Sequence, residues 1–143
     1  MTSKKWTYYK DGAYVYNSLG TQTGIGQGKN NTAIVMAADD GAYVTPDSGG
    51  TETLWYRLKY LNDNNAGECN DWFIGSKDEI EKLRLAVDSE GTSLVPSTWF
   101  RNNYIWSSSE YSIQRSWVWN YNSQIWYSNS KYSPDAVCVL RAF

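Results

Sequence analysis

The sequence predicts an α+β domain with two helices in its first two thirds and a β-rich C-terminal half. Three observations predict this class. The segment TETLWYRLKYLND places leucines at i, i+4 and i+7, which is one face of a helix. Ser76 and Glu79 have the spacing of a capping box, which opens a second helix. From Tyr104 onward, residues alternate with the period of two that is typical of strands.

The N-terminal third predicts short strands and loops. Residues 13–17 alternate and predict a strand, and residues 18–31 predict a glycine-rich loop. The apolar, partly β-branched run 32–38 predicts a buried strand. Residues 39–52, which contain Pro46, predict another loop.

The two helices flank a short predicted strand at residues 72–74. The first helix ends in the Asn- and Gly-containing stretch 64–67, and the second ends at Gly91, before a loop over residues 92–103. The apolar faces of the two helices are Leu54, Leu58 and Leu61, and Ile80, Leu83 and Val87.

Alternation divides the C-terminal half into an inward and an outward set. A turn at Asn122-Ser123 joins two of its strands, a polar loop spans residues 128–135, and AVCVLRAF predicts a buried closing strand. The inward residues are Trp106, Trp117, Trp119, Tyr121 and Trp126, and the outward residues of the two strands are Val118, Asn120, Asn122, Ile125 and Tyr127.

Composition excludes several classes of function. The chain has 143 residues, which fits one domain over 1–143, and we find no internal repeat. It contains no His and two Cys, so it predicts no His/Cys zinc site and no Ser-His-Asp or Cys-His catalytic group. A net charge of −2 indicates no attraction to nucleic acid or anionic membrane, and no apolar run approaches the ~20 residues of a membrane span. We therefore expect no enzyme, no cofactor and no metal.

Two local motifs have competing interpretations. GIGQGK at residues 24–29 lacks the spacing of a phosphate-binding loop and predicts an ordinary loop. Cys69 and Cys138 predict either one disulfide or two buried free thiols, and the second alternative is slightly favoured. The N-terminus has a basic start without the apolar segment of a signal peptide.

The C-terminal segment has the composition of a binding surface. Aromatic residues make up 16% of the chain, and only Lys131, Asp135 and Arg141 are charged between Ser116 and Phe143. An exposed sheet face ordinarily carries more Lys and Glu, whereas Tyr, Ser and Asn with few charges are typical of paratopes. This pattern favours partner binding.

Several motifs also carry a resemblance to a known family. These are GxGxGKxNT at residues 24–32, CNDWFIGSKDEIEKL at 69–83, YIWSSSEY at 104–111 and the terminal VxVxRAF. Together they resemble the C-type-lectin-like domains related to sulfatase-modifying factors, the formylglycine-generating-enzyme-like superfamily. They are most similar to the variable proteins of diversity-generating retroelements of phages and gut bacteria. The similarity covers about residues 24–143.

The resemblance implies a C-type lectin fold with a variable region at about residues 104–143. In that family, mutation of template adenines lets certain codons change, but Trp, Gln, Lys, Glu and Met are not reachable from them. Trp117, Trp119 and Trp126 are unreachable, and alternation places all three inward. The predicted ligand-binding residues are all reachable: Ile113, Arg115, Val118, Asn120, Asn122, Ser123, Ile125, Tyr127, Ser128, Asn129, Ser130, Tyr132, Ser133 and Asp135.

The implied function is non-catalytic recognition of a protein or glycan receptor on a cell surface. The implied display site is a phage tail tip or a bacterial surface, and an oligomer is compatible with it. Tyr127, Tyr132 and Arg115 are the candidate hot spots. Ser133-Pro134-Asp135 lacks the first ligand of the lectin calcium motif, so calcium-dependent sugar binding is not expected. The alternative function is a fixed adhesin, glycan-binding or structural module of a phage or bacterial fibre.

Overall fold

The α+β class is confirmed in a computed structural model, which describes residues 3–46, 52–90 and 104–141. The elements, in chain order, are β1 Tyr9–Lys10, β2 Ala13–Tyr14, α1 Gln27–Ala37, a 3₁₀ segment Ala38–Val44, α2 Leu54–Asp63, a 3₁₀ turn Ala66–Glu68, β3 Phe73–Ile74, α3 Lys77–Glu90, β4 Tyr104–Glu110, β5 Arg115–Asn120, β6 Ile125–Ser130, β7 Ala136–Val137 and β8 Val139–Leu140. Gly91 and the loop 92–103, both named in the sequence predictions, lie outside the described residues.

A four-stranded sheet organises the domain. Its order is β6-β5-β4-β7, with antiparallel pairing except between β4 and β7, which run parallel. Two small antiparallel pairs, β1-β2 and β3-β8, complete the strands. Among the described residues, no helix is both long and apolar enough to cross a membrane.

Successive side chains of a strand point to opposite faces of the sheet, and other parts of the chain pack on both faces. On one face, Trp106 and Val118 join a core that includes Trp6, Trp55 and Leu58. On the other face, Ile105 and Trp119 pack with Ile80 of α3. The sheet therefore lies between the N-terminal segment with α2 on one side and α3 on the other.

The prediction of a buried strand at residues 32–38 is wrong, since this stretch belongs to α1. The buried residues of α1 are Gly28, Asn31, Thr32 and Val35, whose spacing of three and four is helical. Three of these four are small or polar. The buried face of α1 therefore shows no periodicity of apolar residues in the sequence. The partly β-branched run 32–38 has the composition of a strand, which is why the sequence predicts one there. The number of helices is three among the described residues instead of the two predicted.

The capping box predicted at the start of α3 is confirmed. The Ser76 N–H donates to Glu79 Oε2 at 2.7 Å, and the Glu79 N–H donates to Ser76 Oγ at 3.3 Å. The same carboxylate accepts the N–H groups of Gly26 and Gly28 at the start of α1, at 3.1 and 2.9 Å. The glycine-rich loop thus does bind an anion at a helix N-terminus, and that anion is the protein's own Glu79.

The three serines of the WSSSE segment are fully buried and hydrogen-bonded. Ser107 Oγ donates to the Trp117 carbonyl at 2.9 Å, and Ser109 Oγ donates to the Gln22 carbonyl at 2.7 Å. Asn31 Nδ2 donates to Ser108 Oγ at 3.1 Å. These contacts connect β4 to β5, to the loop before α1 and to α1 itself, because buried polar groups require partners.

Other sequence predictions hold in part. The strand predicted at 13–17 is the shorter β2, and the strand at 72–74 is β3. α2 begins after Thr53, whose hydroxyl accepts the Tyr56 N–H at 3.0 Å. Both cysteines are free thiols, as the favoured alternative predicted, although each is half-buried rather than fully buried.

Candidate ligand-binding surface

The predicted site residues lie on two opposite faces of the β5-β6 pair and in the adjoining turns. Tyr127 is paired with Val118, and Ile125 with Asn120, so these four share one face. Ser128 is paired with Trp117, and Ser130 with Arg115, and these belong to the other face. The outward set of the sequence analysis is therefore not one continuous surface.

The exposed part of the first face is built around the edge strand β6. Ile125 and Tyr127 are about half exposed. Asn120 lies between Ile125 on one side and Tyr104 on the other, because β5 pairs with both neighbours at this position. Tyr104 is exposed as well, although the sequence analysis did not include it in the site.

Asn120 shapes the turn that leads into β6. Its Oδ1 accepts the N–H groups of Asn122 and Ser123, at 3.0 and 3.4 Å. An Asn side chain that binds the backbone two residues on forms a local turn of this kind. Asn122 and Ser123 themselves are exposed at the tip. Asn120 is thus a structural residue, while the two tip residues remain free to change.

The prediction that Val118 faces outward to solvent is wrong. Val118 is 0% exposed and belongs to the core with Trp6 and Trp106. Alternation correctly separated it from Trp117 and Trp119, but the N-terminal segment covers its face as well. Sequence periodicity identifies opposite faces and does not show that a distant segment covers the second one.

Asp135 is also buried, contrary to the prediction. Its carboxylate accepts from Asn129 Nδ2 at 2.7 Å, and its backbone pairs with Lys4. Burial raises the pKa of Asp135 to about 6, although the Asn129 hydrogen bond opposes the rise. Asn129 Oδ1 in turn accepts the Ser130 N–H at 2.9 Å and lies 3.4 Å from Ser133 Oγ. These residues hold the turn after β6 rather than present side chains to a ligand.

Arg115 lies on the tryptophan face, away from Tyr127. Its Nε donates to Ser128 Oγ at 3.0 Å, and its Nη2 donates to the Ser128 carbonyl. The guanidinium is therefore already engaged across the two strands. Ile113, in the turn before β5, is exposed.

Tyr132 joins a ladder of three tyrosines. Its ring stacks on Tyr14 with centroids 5.5 Å apart, and Tyr14 contacts Tyr9 edge-on at 5.1 Å. Tyr9 also lines a recess of about 230 Å³ beside Lys10 and the 3₁₀ segment. The sequence analysis missed Tyr9 and Tyr14 because they come from the β1-β2 hairpin, and no local pattern connects that hairpin to residue 132.

Trp119 and Trp126 of the inward set face a covering element, which is α3, whereas Trp106 lies on the opposite face of the sheet in the core with Trp6. The rings of Trp119 and Trp126 meet edge-on with centroids 5.5 Å apart, and Trp126 Nε1 donates to Glu81 Oε2 at 2.9 Å. The Arg84 guanidinium lies 4.5 Å from the Trp119 ring centroid. The Arg84 guanidinium also holds the pKa of the Glu81 carboxyl below its usual value. This face is a scaffold formed between strand aromatics and helix charges.

Charge is nearly absent from the exposed part of the segment that follows Ser116. Lys131 is fully buried and pairs with Glu110 at 2.6 Å, and Asp135 is buried. Of the three charged residues there, only Arg141 is exposed, and its Nε pairs with Asp71 at 2.8 Å. In the described ranges, no three His, Cys, Asp or Glu side chains converge as a metal site would require.

Large apolar side chains concentrate on this part of the molecule. Nine such side chains are exposed among the described residues, and six of them lie between residues 104 and 132. Those six are Tyr104, Tyr111, Ile113, Ile125, Tyr127 and Tyr132. We call these six residues the exposed apolar set. Comparison with family models, curated proteins and solved structures finds no match to the chain.

Proposed function

We propose that this protein is a non-catalytic recognition protein that binds a receptor, protein or glycan, through the exposed apolar set. The observation that carries the proposal is that these exposed apolar side chains lie in a segment whose charged residues after Ser116 are buried, apart from Arg141. Three of the six, Tyr104, Ile125 and Tyr127, share one face of the sheet, and exposed apolar patches mark interaction sites. Tyr with Ser and Asn is the composition of paratopes.

The scaffold supports this use. Trp119 and Trp126 pack against α3, and Lys131 is held inside the domain, so the backbone of β5 and β6 has fixed support beneath it. Changes at exposed positions such as Ile125 or Tyr127 remove little buried area, and surface substitutions generally alter stability by less than about 0.5 kcal/mol. A surface with these properties tolerates sequence change.

We further propose that the surface is diversified by a retroelement, as the resemblance to variable C-type-lectin-like domains implies, and that it is displayed on a phage tail tip or a bacterial surface. The diversified set is smaller than the sequence alone predicts. Val118 and Asp135 are buried, and Asn120 and Asn129 hold turns. Ile113, Asn122, Ser123, Ile125, Tyr127 and Tyr132 remain the positions best suited to variation.

Those buried and turn-forming positions also favour a second candidate, a fixed adhesin or glycan-binding module of a surface fibre. Reachable codons alone do not distinguish the two, because Val118 is reachable and yet belongs to the core. The neighbouring DNA does distinguish them. A near-copy of the segment encoding residues 104–143, differing only at adenines and adjacent to a reverse transcriptase gene, is expected for the first candidate. Its absence leaves the fixed module.

The binding proposal is tested with a display library that varies the six positions suited to variation. We expect most members to fold and some to bind an immobilised model protein such as lysozyme. In a selected binder that retains Tyr127 and Tyr132, replacement of both by Ala should abolish binding and leave the melting temperature within about 2 °C. The matched control is Tyr60→Ala, an exposed tyrosine on α2 outside the set. A library that is mostly unfolded contradicts the proposal.

A further inference from the structure

The ammonium group of Lys77 lies between two tryptophan rings. Its Nζ is 5.1 Å from the ring centroid of Trp117 and 5.1 Å from that of Trp126. A cation within about 6 Å of an aromatic centroid is attracted by the negative ring face. The ammonium is thus attracted by two ring faces at once, and we call this arrangement the cage.

The register of β5 and β6 sets how far apart the Trp117 and Trp126 side chains lie. Trp117 is paired with Ser128 and Trp119 with Trp126, so Trp117 and Trp126 are diagonal neighbours on one face. Diagonal neighbours on adjacent strands are about 7–8 Å apart at the backbone. The small Ser128 side chain opposite Trp117 is bound by the Arg115 guanidinium, and Lys77 reaches the two rings from the first turn of α3.

The cage has further aromatic and acidic walls. Tyr111 contacts Trp117 edge-on at 4.9 Å, and it is exposed. Glu81 Oε2 accepts from Trp126 Nε1 at 2.9 Å and so places a carboxylate beside the second ring. Aromatic faces are the feature that recognises quaternary ammonium ligands, and the Glu81 carboxylate adds negative charge that Arg84 shares.

Lys77 does not use its hydrogen-bonding capacity in this position. Within the described part of the chain, its ammonium makes no hydrogen bond or ion pair; it contacts the two rings, and its charge helps to lower the pKa of the Glu81 carboxyl. A primary ammonium carries three N–H donors and is strongly hydrated. A methylated ammonium has no donors to satisfy at a site that offers ring faces, and it loses less hydration there.

We propose that Trp117 and Trp126 form a binding site for a small methylated ammonium ligand of the choline type, and that Lys77 occupies this site in the free protein. Exchange keeps the charge in the cage constant, because one cation leaves as another enters. Glu81 is paired with Arg84 at 2.6 Å, so its carboxylate does not depend on Lys77 for a partner. Lys77 is half-buried and its backbone stays fixed by the Ser109 hydrogen bond at 3.0 Å, so only its side chain has to swing out. The site shares Tyr111 with the exposed apolar set but uses neither Tyr127 nor Tyr132, so Ala variants of those two residues test the proposed function separately.

The test is titration of the whole chain with choline chloride, followed by tryptophan fluorescence and by the indole N–H signals in NMR. The neutral isostere 3,3-dimethyl-1-butanol is titrated in parallel. We expect Lys77→Ala to bind choline about tenfold or more tightly than the wild type, because it removes a tethered competitor for a site that is open only a fraction of the time. Lys82→Ala, at an exposed lysine of the same helix, should behave as the wild type.

Two outcomes support the proposal and two overturn it. Choline binding that tightens in Lys77→Ala and weakens in Trp117→Leu supports it, as does binding of choline without binding of the neutral isostere. Equal binding of choline and the isostere overturns it, because a cation is then not what the cage recognises. Absence of choline binding to a folded Lys77→Ala variant at 100 mM also overturns it. The comparison of the two ligands on one protein remains decisive even if a tryptophan variant does not fold.

Discussion

Lys131 offers the sharpest test of how the domain is held together, because it is a fully buried cation. Its ammonium donates to Glu110 Oε1 at 2.6 Å and to the Asn17 carbonyl at 3.0 Å, and it lies 4.5 Å from the Trp6 ring centroid. Burial lowers the pKa of Lys131, and the Glu110 carboxylate opposes this shift. The pair thus connects the turn after β6, the end of β4 and the N-terminal segment.

We expect Lys131→Met to lower the free energy of unfolding by about 3 kcal/mol, the lower end of the range for breaking a buried ion pair. The Glu110 carboxylate that remains still accepts the Leu19 N–H at 2.9 Å, and Thr21 Oγ1 lies 3.4 Å away. Glu110→Leu should cost more, about 5 kcal/mol, because the ammonium then keeps only a carbonyl and the Trp6 ring. The double variant should cost clearly less than the sum, since no charge is left without its partner.

Urea unfolding followed by tryptophan fluorescence measures these changes. The midpoint should fall while the slope stays constant, because the surface exposed on unfolding does not change. Lys59→Met is the matched control, since Lys59 pairs with Asp63 on the surface of α2 and should cost less than about 0.5 kcal/mol. A loss below about 1 kcal/mol for Lys131→Met, or strict additivity in the double variant, would refute the reasoning.

Three further predictions follow from buried positions. Because the folded state raises the pKa of Asp135 to about 6, the stability this group contributes is present below pH 4 and lost as pH rises through about 6. Asp135→Asn should therefore gain stability at pH 8, by at most about 3 kcal/mol, and lose that gain near pH 4, as thermal melts at the two values can check. Gly28→Ala should destabilise by about 1–3 kcal/mol in urea unfolding, because its Cβ would lie 2.8 Å from the Ile74 carbonyl oxygen and the Ser76 nitrogen. Val118→Asn should cost about 2–4 kcal/mol by the same assay, whereas Asn122→Val at the exposed tip should change stability little; equal effects would contradict the assignment of Val118 to the core.

The sequence was most informative where the signal is local. The capping box of α3, the leucine face of α2, the turn at Asn122-Ser123 and the separation of Trp117 and Trp119 from Val118 are all visible within a few neighbouring residues. These signals depend on backbone periodicity and on hydrogen bonds that close within one turn of chain.

The sequence failed where a buried surface is not apolar. The buried stripe of α1 is Gly, Asn, Thr and Val, and its Asn31 and Thr32 are satisfied by partners far away in the chain, such as Ser108 and the Ile74 N–H. A pattern of apolar residues does not reveal this kind of burial. The burial of Lys131 was missed for the same reason, because the composition of residues 128–135 predicted a polar loop.

By itself, the sequence determined the α+β class, the period of each long strand, the shared face of Trp117 and Trp119 and the scarcity of charge after Ser116. Only the tertiary structure decided which of the two faces of β5 meets solvent. Both faces of β5 are largely shielded from solvent, because the N-terminal segment covers Val118 and α3 covers Trp119. It also decided that two of the three charges in the C-terminal segment are internal, and that Tyr132 continues a ladder begun at Tyr9. Coverage of a face depends on segments far away in the chain, such as Trp6 for Val118 and Ile80 for Trp119, and local alternation contains no information about them.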